Sequence, residues 1–339
     1  MPAANAAGAD LDRAGKYELN SPGCHYPGSH NAVQQSNRRQ VISEDAPIAY
    51  IERTRAWYLA LGYGNPYAWA HYAEAPFRPL SKPLSRSRVA LITTAAPYRP
   101  DKGEQGPGAP YNAGAKFYGV YSGDTGVDHD LRIAHVAIDR KHTSMEDSGT
   151  WFPLLALRRA AAAGRVRLAP RFHGVPTNRS QQHTIDVDAP EALARCKEDS
   201  ADAVVLVPNC PVCHQTVSLV ARHLEANGIA TVVMGCAKDI VEHCGVARFL
   251  FSDFPLGNSA GMPHDVESQE TTLELALTLL ETAAEPRTTL CSPLRWSGTA
   301  GWKLDYCNPE RLSPEELARR RAEFDRGKET AKALRESIA

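Results

Sequence analysis

The sequence predicts an α/β protein: a parallel sheet in three layers, doubly wound and Rossmann-like, arranged as halves that share a cleft. Three observations carry this. Short apolar runs rich in β-branched residues, RVALITT at 88–94 and AVVLV at 203–207, have the length of strands buried on both faces. Between 201 and 251 such runs alternate with helical periodicity, a pattern that requires crossovers between parallel strands. Long Gly/Pro loops follow the strands, where α/β sheets build their sites.

Residues 1–45 mix Ala, Gly, Asn, Ser and Gln with few large apolar side chains, and are expected to form a flexible or wrapping arm in which Cys24 and His25 are incidental. A first α/β subdomain is expected over 46–185. It opens with a helix at 47–63, from the spacing of Ile51, Trp57, Leu59 and Leu61, and continues into an aromatic loop. After the strand at 88–94 comes AAPYRPDKGEQGPGAPYNAG, a loop suited to a site. No Gly-x-Gly-x-x-Gly opens a helix and no Walker lysine motif occurs, so NAD, flavin and ATP are not expected. The following segment predicts a short strand, a turn at 122–127 and a second strand at 131–138. It gathers Asp124, His129, Asp130 and His135, residue types suited to acid/base work, substrate binding or a metal. Ser148 is expected to cap the WFPLLALRRAAAAG helix, Gly164 to end it, and VRLAPRFHG to form a strand.

The second subdomain, 186–311, is expected to carry the chemistry. A helix at 190–197 leads to the strand at 203–207, and PNCPVCHQTV follows. Pro211 suits the first helical position because its missing amide proton wastes no hydrogen bond, so Cys210 stands at a helix start. Unpaired backbone donors and the positive end of the helix dipole favour thiolate over thiol there, and Cys213 can resolve what Cys210 attacks. Asn227 and Gly228 mark a helix end, with a strand at 229–234, a short helix at 236–244 and a strand at 246–251. This topology puts Cys236 at the same rim as Cys210. His214, Cys236 or His243 would then tune the thiols, with His135 and Asp124 as further catalytic candidates. In the loop SDFPLGNSAGMPHD, glycines 257 and 261 leave amides free to face a carboxylate, which makes Gly257, Asn258, Ser259 and Gly261, with His129, the substrate-binding candidates. Residues 312–339 form a charged helix opened by a Ser-x-x-Glu capping box.

The same Cys-x-x-Cys-His string admits other chemistry. Zinc held by Cys210, Cys213, Cys236, Cys244 and His243 is the alternative, and a purely buried pair is the plainest reading. A c-type haem would need export and an exposed loop, and neither is indicated. With 38 basic and 39 acidic residues the net charge of -1 offers no footprint for nucleic acid or an anionic membrane. The expectation is a cytoplasmic protein whose eight cysteines serve catalysis or metal rather than a disulfide framework, with self-association left open.

The segment 123–263 resembles the glycine/sarcosine/betaine reductase selenoprotein B family, which includes a proline reductase subunit. The resemblance rests on Gly123-Asp124, DHDLRIAH, the FP of TWFPLLAL with AAGRV, VVLVPNCPVCHQTV and GNSAGMP. In that family selenocysteine followed by x-x-Cys sits at a strand-turn-helix, matching Cys210 and Cys213 here. The resemblance implies reductive cleavage of a carbon-nitrogen bond in a small amino-acid-like substrate, with a thiol reductant or reductase partner. Cysteine in place of selenocysteine makes a poorer nucleophile and electron relay. The chemistry could therefore shift to a carbon-sulfur bond of a thioxo heterocycle, by desulfuration or zinc-assisted hydrolysis, or to a non-catalytic redox-sensing subunit.

Overall fold

The computed structural model describes residues 46–336 apart from 65, 66, 108, 110, 111, 134, 136, 178 and 179. The expected arm at 1–45, with Cys24 and His25, lies outside the described residues. The chain runs α1 (Tyr50–Ala60), β1 (Arg88–Thr93), β2 (Ala96–Pro97), β3 (Tyr121–Asp124), β4 (Leu131–Arg132), α2 (Leu154–Ala162), β5 (Arg167–Leu168), β6 (Arg171–Gly174) and α3 (Gln181–His183). It continues through α4 (Ala189–Glu198), β7 (Ala203–Val207), α5 (Pro211–Ala226), β8 (Ala230–Gly235), α6 (Lys238–Cys244), β9 (Arg248–Phe251), α7 (Val266–Thr282), β10 (Thr288–Cys291) and α8 (Pro314–Glu336).

One sheet has the order β10-β9-β8-β7-β1-β6-β3, with β5 beside β1, and β2 pairs separately with β4. Within the sheet only β3 runs antiparallel, against β6. Strand β1 pairs directly with β7, from Val89 opposite Ala203 to Thr93 opposite Val207. The segments 46–185 and 186–311 thus share a single sheet. After β1 the chain goes to the β6 side and returns on the other side at β7, so the carboxyl ends of β1 and β7 flank the point where the winding reverses. Open α/β sheets bind their ligands at that point.

The three layers follow from the two-residue period of the strands. Val89, Leu91, Val205, Val207, Val232 and Met234 face α2 and α7, meeting Leu157, Leu273, Leu277 and Leu280. Ala90, Ile92, Val204, Leu206 and Val233 face α4 and α5, meeting Leu193, Val217, Val220 and Leu224. Full burial of a side chain of this kind contributes roughly 1.5–3 kcal/mol relative to exposure.

Several expected elements shift, each for a local reason. VRLAPRFHG forms two strands rather than one, because Pro170 interrupts the ladder between the pairs at Arg88–Val89 and at Ile92–Thr93. The strand expected at 131–138 is only Leu131–Arg132. Asp147, not Ser148, does the capping, and it caps a short 3-10 turn at Ser148–Thr150, since Pro153 delays α2 to Leu154. Cys291 in β10 is disulfide-bonded. No described helix is long and apolar enough to cross a membrane.

Burial brings the Asp239 carboxyl close to neutrality. Asp239 at the start of α6 accepts the Ile51 amide at 2.8 Å, and burial pushes it up to about 7. An exposed aspartate ionises near pH 4. The folded state therefore binds the proton more tightly, and this contribution is fully present below about pH 4 and lost as pH rises through 7. Between about pH 4.5 and 7.5 the urea midpoint of the native protein should fall more steeply than that of Asp239→Asn, whose amide oxygen still accepts from Ile51. Equal slopes would show that Asp239 does not titrate in this window.

Candidate functional site

Strand β7 ends at Val207, and three contacts aim the residues after it. Ser259 Oγ donates to the Pro208 carbonyl at 2.7 Å, and Asn209 Nδ2 donates to Thr94 Oγ1 at 3.2 Å, tying the end of β7 to the end of β1. Cys210 is the N-cap of α5: its backbone is extended (φ -129, ψ 170), and its Sγ accepts the Cys213 amide at 3.3 Å. A sulfur thus takes the position where Ser, Thr or Asp would satisfy a free helix donor. The Asn209 carboxamide oxygen is buried with no hydrogen-bond partner.

His214 locks this turn from beneath. Its Nε2 accepts two backbone amides, from Cys236 at 2.9 Å and Ala237 at 3.1 Å, which leaves the proton on Nδ1 to donate to the Cys210 carbonyl at 2.8 Å. Burial pushes its pKa down to about 4, so the ring is neutral at physiological pH. His214 is therefore a positioning residue, coupling the thiol turn to the loop after β8. Gly235 makes room for it, since a Cβ there would lie 2.8 Å from the imidazole.

The two sulfurs meet a third group. Cys210 Sγ, Cys213 Sγ and a ring nitrogen of His135 all lie within 4.8 Å of one another, and no other cluster of three His, Cys, Asp or Glu among the described residues is this compact. Thr177, in the loop after β6, bridges two of them, with its Oγ1 at 3.1 Å from Cys213 Sγ and 2.9 Å from His135 Nε2. His135 is buried, and its Nδ1 has no partner. Burial, together with the hydrogen bond to Cys213, pushes the Cys210 thiol well up. Cys213 is desolvated too, but hydrogen bonds with Cys210 and Thr177 and the nearby His135 ring hold it well below the ordinary thiol range. The two thiols are thus pushed in opposite directions, Cys210 toward the S–H form and Cys213 toward the thiolate. A helix start favours charge at both positions, but the side-chain donors are gathered around the second sulfur.

Two groups that the sequence did not single out complete the surroundings. The Arg140 guanidinium and the Tyr306 phenol lie within electrostatic range of Cys210, so a thiolate there would act on both. Burial depresses the arginine and raises the tyrosine. Arg140 is held from behind by the carbonyls of His135 at 2.7 Å and Ala109 at 3.2 Å.

The remaining sequence candidates fall elsewhere. Asp124 and His129 form a local turn: Asp124 Oδ1 accepts the Gly126 amide at 2.7 Å, and its backbone carbonyl lies 2.6 Å from His129 Nε2. His129 lines a separate cavity of about 160 Å³ with Asp130, Arg132, Met145 and Trp151. Cys236 stands at the end of β8, but its thiol contacts Ser259 Oγ at 3.7 Å, and burial lifts its pKa to about 12. Cys244 and His243 lie at the far end of α6, where Cys244 packs on Leu219 and Ala70 and His243 stacks on His71 at 4.4 Å. The five candidate ligands of the zinc alternative are therefore not brought together. A helix carries Cys244 and His243 away from the rim, while His135 arrives from another loop.

The loop at 257–261 also departs from expectation. Gly257 and Gly261 have φ values of +109 and +134, as a tight turn requires, but Asn258 and Ser259 are fully buried. The amides of Asn258 and Ala260 donate to the carbonyls of Pro255 and Thr150 at 3.1 and 2.8 Å instead of facing outward. Asn258 Nδ2 bonds Thr143 Oγ1 and the Pro255 carbonyl. The loop braces the thiol turn through Ser259 rather than presenting a carboxylate cradle.

Comparison with known proteins places this geometry in context. The chain is similar to D-proline reductase subunit gamma of Acetoanaerobium sticklandii, 29% identical over 196 residues that make up 57% of this chain and 77% of that subunit. The similarity bears out the resemblance to the selenoprotein B and proline reductase family. No family model matches the chain, and no solved structure matches it.

Proposed function

We propose that this chain is a thiol-dependent subunit of a reductase, acting on a small amino-acid-derived carboxylate by cleaving a carbon-heteroatom bond. The observation that carries the reading is the Cys210–Cys213 pair, unequally ionised and linked through Thr177 to His135 at the reversal point of the sheet. The Cys213 thiolate takes the proton of Cys210, which attacks the substrate carbon. The carbon-nitrogen or carbon-sulfur bond breaks, and its electron pair leaves on the heteroatom with the proton returned by Cys213. Cys213, again a thiolate, then attacks Cys210 Sγ. The sulfur-sulfur bond forms, the sulfur-carbon bond breaks, and the carbon keeps the electron pair and takes a proton from solvent. The substrate has gained two electrons and the pair is a disulfide, which an external thiol or a reductase partner must reduce. The Arg140 guanidinium, within electrostatic range of Cys210, supplies the positive charge to orient a carboxylate.

The similarity to a reductase subunit supports this reading. Its test is a single turnover of the fully reduced protein, without added reductant, against a panel of cyclic and N-alkylated amino acids and thioxo heterocycles. The expected result is one Cys210–Cys213 disulfide, located by mass spectrometry, for each product molecule. Product without that disulfide, or no product from any of the panel even with dithiol reductant and the partner subunits present, overturns the proposal.

A further inference from the structure

We infer that His135, Cys210 and Cys213 form a three-donor site for a single divalent cation of the zinc class. The inference shares the thiol pair with the proposal above but needs none of its bond-breaking chemistry. Two thiolates and an imidazole are the donor set that borderline-soft cations select. Three protein ligands leave the fourth tetrahedral position open. With metal–sulfur and metal–nitrogen bonds of about 2.3 and 2.0 Å, tetrahedral coordination asks for donor separations of roughly 3.5–3.8 Å. The three atoms already lie within 4.8 Å of one another, so each separation has to shorten by only about an ångström.

A second observation points the same way. His135 is buried with Nδ1 unpartnered by any protein group while Thr177 engages Nε2, so the ring keeps unused ligand capacity. A ring held on one nitrogen by a neighbouring hydroxyl is also the arrangement in which ligating histidines are oriented. The ligands come from two elements already anchored: the N-cap turn of α5, locked by His214, and the loop holding His135, whose carbonyl Arg140 grips at 2.7 Å. Coordination takes both sulfurs as thiolates and releases to solvent the one proton that Cys210 still carries. The bound cation and the Cys210–Cys213 disulfide are then mutually exclusive, and the metal protects the pair from oxidation while blocking its use as a nucleophile.

The test uses the full-length reduced protein, stripped with a chelator and titrated with Zn²⁺ against a chromophoric competitor, with Co²⁺ as an optical probe. One equivalent should bind, Co²⁺ should develop a thiolate charge-transfer band, and His135→Gln should weaken binding by at least about tenfold. Cys210→Ser and Cys213→Ser should weaken it further, while Cys244→Ala should bind as the native chain does. Native protein oxidised with diamide needs no variant to fold, and it should bind no Zn²⁺ at the same concentrations. Undiminished binding by the oxidised protein or by His135→Gln, or less than one equivalent on the reduced protein, overturns the inference. Disulfide formation in the chelator-treated protein is scored separately, so failure of the metal site and failure of the dithiol chemistry give different results.

Discussion

Cys210→Ser is expected to lower turnover at least about a thousandfold, whereas Cys213→Ser should react once and stop. The difference follows from the geometry. Serine at 210 keeps the N-cap, because its oxygen can accept the Cys213 amide as the sulfur does at 3.3 Å, so the fold and the helix start survive. What is lost is the attacking atom, since a hydroxyl is far harder to ionise than a thiol. Serine at 213 instead removes the group that holds the charge and closes the disulfide. Cys210 can still attack, more slowly without its neighbouring base, but nothing displaces the adduct. Mass spectrometry of the intact protein after incubation with substrate should show the added fragment on Cys213→Ser and none on Cys210→Ser. An adduct on Cys210→Ser, or full turnover by Cys213→Ser, would reverse or abolish the proposed roles.

The second large effect concerns stability. Arg248→Met should destabilise the protein by about 3–5 kcal/mol, the range for breaking a buried ion pair from one side. Arg248 and Glu225 are both fully buried, with Nη1 2.9 Å from Oε1. Glu225 ends α5 and also accepts the amide and hydroxyl of Thr231 at 2.6 and 2.8 Å. The pair therefore fastens the far end of the thiol helix to β8 and β9. Removing the guanidinium strands a carboxylate that burial already pushes toward its protonated form. The folded-state pKa of Glu225 then rises further, so the loss should be smallest in acid and grow as pH rises. Urea unfolding at two pH values measures this, and Arg248→Met combined with Glu225→Gln should recover most of the deficit. A single variant within 1 kcal/mol of the native protein, or a double variant no better than the single, would refute the account.

The legible and illegible parts of the site divide by sequence distance. The junction that aims Cys210 was readable because strand, Pro211 and helix periodicity are contiguous, and local rules decide where a helix begins. The surroundings of His214 and of the 257–261 loop were illegible for a common reason. His214 was read as tuning the thiols and the loop as holding a carboxylate, yet their donors and acceptors are engaged by other backbone: His214 by residues 236–237, and Ser259 by Pro208. Thr177 and Arg140 carried no signal at all. A lone threonine in a polar connector and an arginine in a turn gain meaning only when three loops converge on one rim.

From its residue pattern alone this chain announced a parallel α/β sheet and a pair of thiols at a helix start. Both depend on periodicity and capping that act over a few residues. Which sulfur holds the charge, which histidine joins the pair and which cysteines stay away were decided by the tertiary structure. Those outcomes depend on distances of a few ångströms between groups up to 78 residues apart, from His135 to Cys213, and on desolvation that exists only once the core has closed.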